Sequence, residues 1–261
     1  MQHITRTLPV NSYLHRIGKH STGECELCSC GKRETLTHFQ TECTELHAAR
    51  HAAHNLVWQT LLAGIETAAQ PGWKFYRETT FDNLPFDFDW ADIAEVAEQE
   101  DRQPDGVAYH AASKKLYLLE FTRAMDHSHT LGDAAARKGT QYSKAMIAFR
   151  RNQRRVGKRN EKISIETLPF IYGVRGSVME QECMKHLHTL GVMKFNAKKS
   201  ILTEGVRAAV QACYNMKQAC TAALAELHLA QDLRAAMKTA RKAVKTVRKA
   251  KRSRTRKGAA G

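Results

Sequence analysis

Beyond Asp232 the chain contains no aspartate or glutamate. The same stretch holds 12 lysines and arginines, from Arg234 to Lys257, out of a whole-chain net charge of +15, so the first 232 residues keep only +3. Basicity is therefore local, the pattern of an arm that meets nucleic acid. That arm is poor in large apolar residues, which argues against a membrane-surface helix. No apolar run approaches the roughly 20 residues of a membrane span, and no segment reads as a secretory leader. No membrane partner is expected. The seven cysteines lack the spacing of a disulfide scaffold: three crowd between Cys25 and Cys30 and the rest are scattered. Thiols used this way point to metal binding in a reducing, intracellular compartment, the nucleus in a eukaryote. No internal repeat is visible.

At 261 residues there is material for one large or two small domains. The pattern is mixed α/β and falls into three segments: 1–67, 68–195 and 196–261. In the first, a polar Cys/His-rich stretch leads into a helix from Glu45 to about Thr67, which Gln70-Pro71-Gly72 ends. In the second, residues 73–90 read as a packed aromatic loop, 89–99 as a short helix, and 107–119 as a hairpin. A helix over 132–152, a basic loop over 150–162, strands at 163–165 and 169–172, and a helix over 178–190 follow. From about Thr203 the pattern is helical and alanine-rich. It ends in a basic stripe formed by Lys238, Arg241, Lys242, Lys245, Arg248, Lys249 and Arg252, joined by Lys251, the candidate nucleic-acid-binding residues. Such a helix buries nothing by itself, and contact with nucleic acid would be what orders it.

Cys25-x-x-Cys28 is followed by nine residues, His38, four residues and Cys43. Three thiolates and an imidazole on a short loop suit tetrahedral Zn²⁺, with Gly23 and Gly31 available for the turns. Cys30 could replace Cys28, and His47 could replace Cys43, though the C-x-x-C spacing favours the first set. Four protein ligands close the site, so its role is structural. Cys183, Cys213 and Cys220 fall at helical positions and read as small core residues.

The hairpin carries an acid at each end. If Val107–His110 pairs with Leu116–Leu119 about a centre between Ala112 and Ser113, Asp105 lies opposite Glu120. Alternation then puts Asp105, Val107 and Tyr109 on one face with Leu116, Leu118 and Glu120. Two adjacent carboxylates repel, and a hard cation such as Mg²⁺ relieves that repulsion. An ordinary surface hairpin with one acid at each end would show the same spacing. Restriction-type nucleases add a lysine near the attacking water, in the simplest form two residues after the second acid. Here that position is Thr122, which still faces the site. Lys138 on the next helix is the best replacement, with Gln141 and Tyr142 on the same helical face as site-lining candidates. Tyr142, Ala145, Met146 and Phe149 could equally be a core stripe. Glu95 or Glu98 could add a third acid.

In this order the blocks resemble the C-terminal region of non-LTR retrotransposon polyproteins that carry a restriction-like endonuclease of the PD-(D/E)xK superfamily. Residues 7–17 and the Cys/His segment resemble the zinc-binding region that trails the reverse transcriptase. Arg102-Gln103-Pro104-Asp105-Gly106 and Leu118-Leu119-Glu120-Phe121-Thr122 resemble the two acidic strands. Lys138-x-x-x-Tyr142 resembles a helix carrying a displaced lysine, and residues 169–177 the late strand and turn. The resemblance departs at Thr122, and the polymerase motifs are absent. It implies a restriction-endonuclease-like mixed sheet core flanked by helices, with an N-terminal zinc knuckle and a C-terminal basic helical tail. It further implies that Asp105, Glu120 and the Phe121 carbonyl hold Mg²⁺ or Mn²⁺, that Lys138 is catalytic, and that DNA is nicked to leave 5′-phosphate and 3′-hydroxyl ends. Element RNA and a reverse transcriptase domain of the parent polyprotein are further expected partners. A zinc-knuckle module that binds nucleic acid on a degenerate nuclease fold is the alternative.

Overall fold

A computed structural model describes residues 15–18, 22–28, 30–80, 84, 103–126, 128–155 and 163–258. Five sequence expectations lie wholly or partly outside them: residues 7–14, residues 81–83 and 85–90 of the aromatic loop, the helix over 89–99 with Glu95 and Glu98, Arg102, and the 156–162 part of the basic loop. The chain forms two compact units, residues 47–216 and residues 1–46 with 217–261. Each is described by itself.

The larger unit is built on a mixed four-stranded sheet in the order β1-β2-β3-β4, comprising β1 (Trp73–Arg77), β2 (Gly106–His110), β3 (Lys115–Ala124) and β4 (Ser164–Gly173). β1, β2 and β3 pair antiparallel, whereas β4 runs parallel to β3. A parallel partner requires a crossover connection, and here it contains two helices. The β2–β3 register pairs His110 with Lys115 and Gly106 with Leu119, which centres the reversal between Ala112 and Ser113. One pair further on, Asp105 and Glu120 stand opposite each other.

Strand alternation gives the sheet two buried faces. Val107, Leu116, Leu118 and Ile165 pack with Tyr142, Ala145 and Phe149 on one of them. The other carries Phe121 and Phe170, whose rings lie about one ring diameter from Trp58 (centroids 6.0 and 6.1 Å). Trp58 belongs to the helix His47–Ala68, which buries Val57, Leu61, Leu62 and Ile65 on the same side. Gly106 has no side chain where it faces this indole; a Cβ there would lie 2.9 Å from Trp58 Cζ2.

Three local readings are corrected. Residues 73–77, expected in a loop, form edge strand β1, because the segment pairs antiparallel with β2 and its aromatic residues suit a half-buried pleated surface. The single helix expected over 132–152 is two, Ser128–Thr140 and Ser143–Arg155. The chain breaks at Gln141–Tyr142, where the Tyr142 ring enters the core. The two short strands are one continuous strand, β4, running through Pro169. Proline is tolerated because β4 is an edge strand, where an amide that faces outward has no ladder bond to lose. The helix Glu180–Thr189 and the long helix Phe195–Gly258 complete the chain, the latter starting eight residues before Thr203. Cys183, Cys213 and Cys220 are buried.

In the smaller unit, a Glu24–Arg33 bridge closes a tight loop, with Gly31 in the left-handed region (φ 66°). A short helix, Leu36–Thr41, follows. Its first turn is capped by Thr35, whose hydroxyl oxygen accepts from the His38 amide at 3.0 Å.

Candidate functional site

Asp105 closes the β2 end of the hairpin and is fixed by backbone. Its Oδ2 accepts the Phe121 N–H at 2.7 Å, and its carbonyl accepts Trp58 Nε1–H at 2.8 Å. Glu120, one pair across, is 1% exposed. A buried carboxylate needs partners for both oxygens, and it has them. Lys138 Nζ donates to Oε2 at 2.6 Å, and Tyr142 Oη donates to Oε1 at 2.5 Å. Burial first, then the Asp105 charge, pushes the Glu120 carboxyl above its ordinary range; Lys138 and Tyr142 pull it down without cancelling those effects.

Lys138 comes from the last turn of the helix Ser128–Thr140, and Tyr142 from the break that follows it. The break makes the tyrosine both a core residue and a site residue: its ring packs with Ala145 and Phe149 while its hydroxyl reaches Glu120. Gln141 Nε2 lies 3.4 Å from the Tyr142 hydroxyl. Thr122 is half-buried two residues beyond Glu120 on β3.

One residue at this site escaped the sequence reading. His54 Nε2 lies 3.2 Å from the Phe121 carbonyl oxygen and 3.5 Å from Asp105 Oδ2, with its ring edge-on to the Phe121 ring. Burial pulls this imidazole's pKa down, but the Asp105 carboxylate, Asn55 and the Phe121 carbonyl outweigh it, and the net direction is up. The available signal was the spacing of His47, His51 and His54, which line one side of a helix otherwise read from its apolar stripe.

In the smaller unit, Cys25, Cys28, His38 and Cys43 are all buried, and their ligand atoms lie within 4.8 Å of one another. A tetrahedral Zn²⁺ with bonds of about 2.0 to 2.3 Å needs donor atoms roughly 3.3 to 3.8 Å apart, so this group can hold a metal such as zinc. His38 presents Nε2 to the cluster, 3.3 Å from Cys28 Sγ, while Nδ1 lies 3.7 Å from Glu42 Oε2. At that distance the carboxylate stands near the ring without a hydrogen bond to it. Burial pushes the Cys25 thiol up to about 12. Burial also acts upward on Cys28, but bonds from Cys30 and His38 bring it down to about 6. Cys30, the alternative ligand, is exposed, with Sγ 2.9 Å from Cys28 Sγ. Cys220, on the long helix, is buried beside Glu34 and Cys43.

Lys238, Arg241, Lys242 and Lys245 are exposed on the long helix. Arg248, Lys249, Lys251 and Arg252 continue its backbone, their side chains lying outside the described part. Among the described residues, no helix is long and apolar enough to cross a membrane.

No protein-family profile matches the chain, and no curated protein matches it.

Proposed function

We propose that this chain is a metal-dependent DNA endonuclease module of the restriction-like kind, similar to those that follow the reverse transcriptase in non-LTR retrotransposon polyproteins. One observation carries the reading: two acids from opposite strands of a hairpin and a lysine from the next helix converge, with Lys138 Nζ 2.6 Å from Glu120. The mixed sheet flanked by helices supports the same reading.

Asp105, Glu120 and the Phe121 carbonyl offer the oxygen donors that a hard divalent cation prefers. The Glu120 carboxyl is raised first by burial and then by the Asp105 charge, and a cation between the two acids would relieve the second of these. When bound, Mg²⁺ or Mn²⁺ supplies the charge that acidifies an attacking water and offsets charge building on the phosphodiester. Lys138 orients that water and stabilises the developing negative charge. Tyr142 holds Glu120 in one orientation. Thr122 cannot replace the lysine, and Lys138 reaches the same acid from the following helix instead. In-line attack leaves a 5′-phosphate and a 3′-hydroxyl, the end from which reverse transcription is primed in such elements.

The four buried Cys/His ligands leave no open position, so zinc there is structural. The basic helix adds sequence-independent affinity for the backbone of DNA or element RNA. Both features suit a nuclear protein whose parent chain includes a reverse transcriptase domain.

The test is nicking of supercoiled plasmid with Mg²⁺ or Mn²⁺, beside Asp105→Ala and Glu120→Ala. Open circles from the native chain alone support the nuclease. Plasmid binding without nicking leaves a nucleic-acid-binding module.

A further inference from the structure

We infer that the outward face of the helix Ser143–Arg155 is a docking surface for the phosphate backbone of duplex DNA, laid beside the Lys138–Glu120 pair. This rests on the DNA-cleaving reading above and adds where the substrate lies.

The inference begins with charge. From Ala134 to Arg155 the sequence has seven lysines and arginines and no acid. The first 232 residues carry +3 in all, so the rest of them carry −4. This stretch is therefore a basic island in a net acidic background, separate from the basic end of the long helix.

The helix sorts that charge away from its apolar residues. Ala145 and Phe149 are buried and Met146 is half-buried on the side that faces the sheet. Lys144, Ile147, Arg150 and Arg151 fall on the other side and are exposed. The three cations stand three or four residues from Ile147, so the four side chains form one patch. Like charges at that spacing, as Arg150 and Arg154 have in the sequence, destabilise a helix, and an anionic partner offsets the cost. Arg150 is held in place: its Nη2 donates to the Ile165 carbonyl at 3.3 Å, and a guanidinium has further N–H groups to offer.

Position supplies the link to the chemistry. The helix starts directly after Tyr142, whose hydroxyl donates to Glu120, and Lys138 reaches the same acid from the preceding helix. From Lys144 to Arg151 the helix rises about 10.5 Å, against about 3.4 Å of duplex axis per phosphate of one strand. The patch therefore meets about three successive phosphates, and a strand lying along it passes the acids at the Ser143 end.

The experiment measures binding of the zinc-loaded full chain to a short DNA duplex by fluorescence anisotropy, without divalent cations and over a range of salt. The double variant Lys144→Ala/Arg151→Ala should flatten the slope of log affinity against log salt by about 2, at about 0.9 per phosphate contact. Ile147→Lys should steepen it by about 0.9, a gain that a structural role would not produce. Thermal midpoints should stay unchanged, because all three side chains are exposed. With Mg²⁺ or Mn²⁺, the double variant should need more plasmid for half-maximal nicking yet reach the native limiting rate. Native slopes for both variants overturn the inference. The two failures are separable: shifted slopes without any nicking keep the DNA surface and remove the nuclease, whereas nicking with unshifted slopes keeps the nuclease and removes the surface.

Discussion

Lys138 and Tyr142 meet Glu120 from opposite oxygens, so each can be removed without displacing the other. Lys138→Ala should lower plasmid nicking about 10²- to 10³-fold, the loss expected when one preorganised electrostatic group is removed. Plasmid affinity should be retained, as a gel-shift titration would report. A variant that nicks at the native rate would remove Lys138 from the chemistry. Glu120 makes a pH-dependent prediction. Its folded pKa is raised, so over the window from the ordinary carboxylate range up through the raised value the folded state binds more protons than the unfolded. Stability contributed by this group is therefore highest at low pH and falls as pH rises. Glu120→Gln lacks that dependence. Thermal midpoints of the metal-free proteins should shift in favour of the variant as pH increases; a gap independent of pH would contradict the assignment.

The elements differ in how far the sequence revealed them. The β2–β3 hairpin was legible, including its register, because period-two alternation and a four-residue reversal leave few ways to pair. The Cys/His group was legible because its ligands lie within 19 residues, from Cys25 to Cys43. β1 was not, since Trp-Lys-Phe-Tyr-Arg is as suited to a packed loop as to an edge, and only its pairing to β2 decides. The helix break at Gln141–Tyr142 was hidden by an unbroken apolar stripe. What interrupts the helix is tertiary: a ring in the core and a hydroxyl on Glu120. His54 was hidden for the same reason, its partners being 51 and 67 residues away in sequence. The helix His47–Ala68 matters beyond His54, because Trp58 both fills the core and donates to the Asp105 carbonyl. Trp58→Ala should cost about 3–5 kcal/mol in urea denaturation. A cost below about 1 kcal/mol, in the range of surface substitutions, would show that the indole is not a core anchor.

At the scale of the whole molecule, charge and core are segregated. From Gln231 to Ala243 every residue is exposed, so ending the chain after Asp232 removes 12 basic residues and, among the described side chains, little packing. The shortened protein should keep its thermal midpoint and lose affinity for DNA at low salt. Each phosphate contact contributes about 0.9 to the slope of log affinity against log salt, and the slope should flatten by at least about 3 if the helix makes several such contacts. Equal slopes for the two chains would assign the electrostatic contacts elsewhere.

The register of the β2–β3 hairpin also bears on how the chain folds. Asp105 and Glu120 are joined by one short reversal, and hairpins of this kind form in about 1–10 μs. The compensating ammonium of Lys138 arrives only when the following helix docks on the sheet. A folding chain thus assembles the repulsive pair before its neutralising partner, and the penalty falls on the transition state. Without divalent cations, Glu120→Gln should speed refolding in a chevron measurement, and losing the later Lys138 pair should speed unfolding as well. An effect confined to the unfolding arm would mean that the hairpin closes after the rate-limiting step.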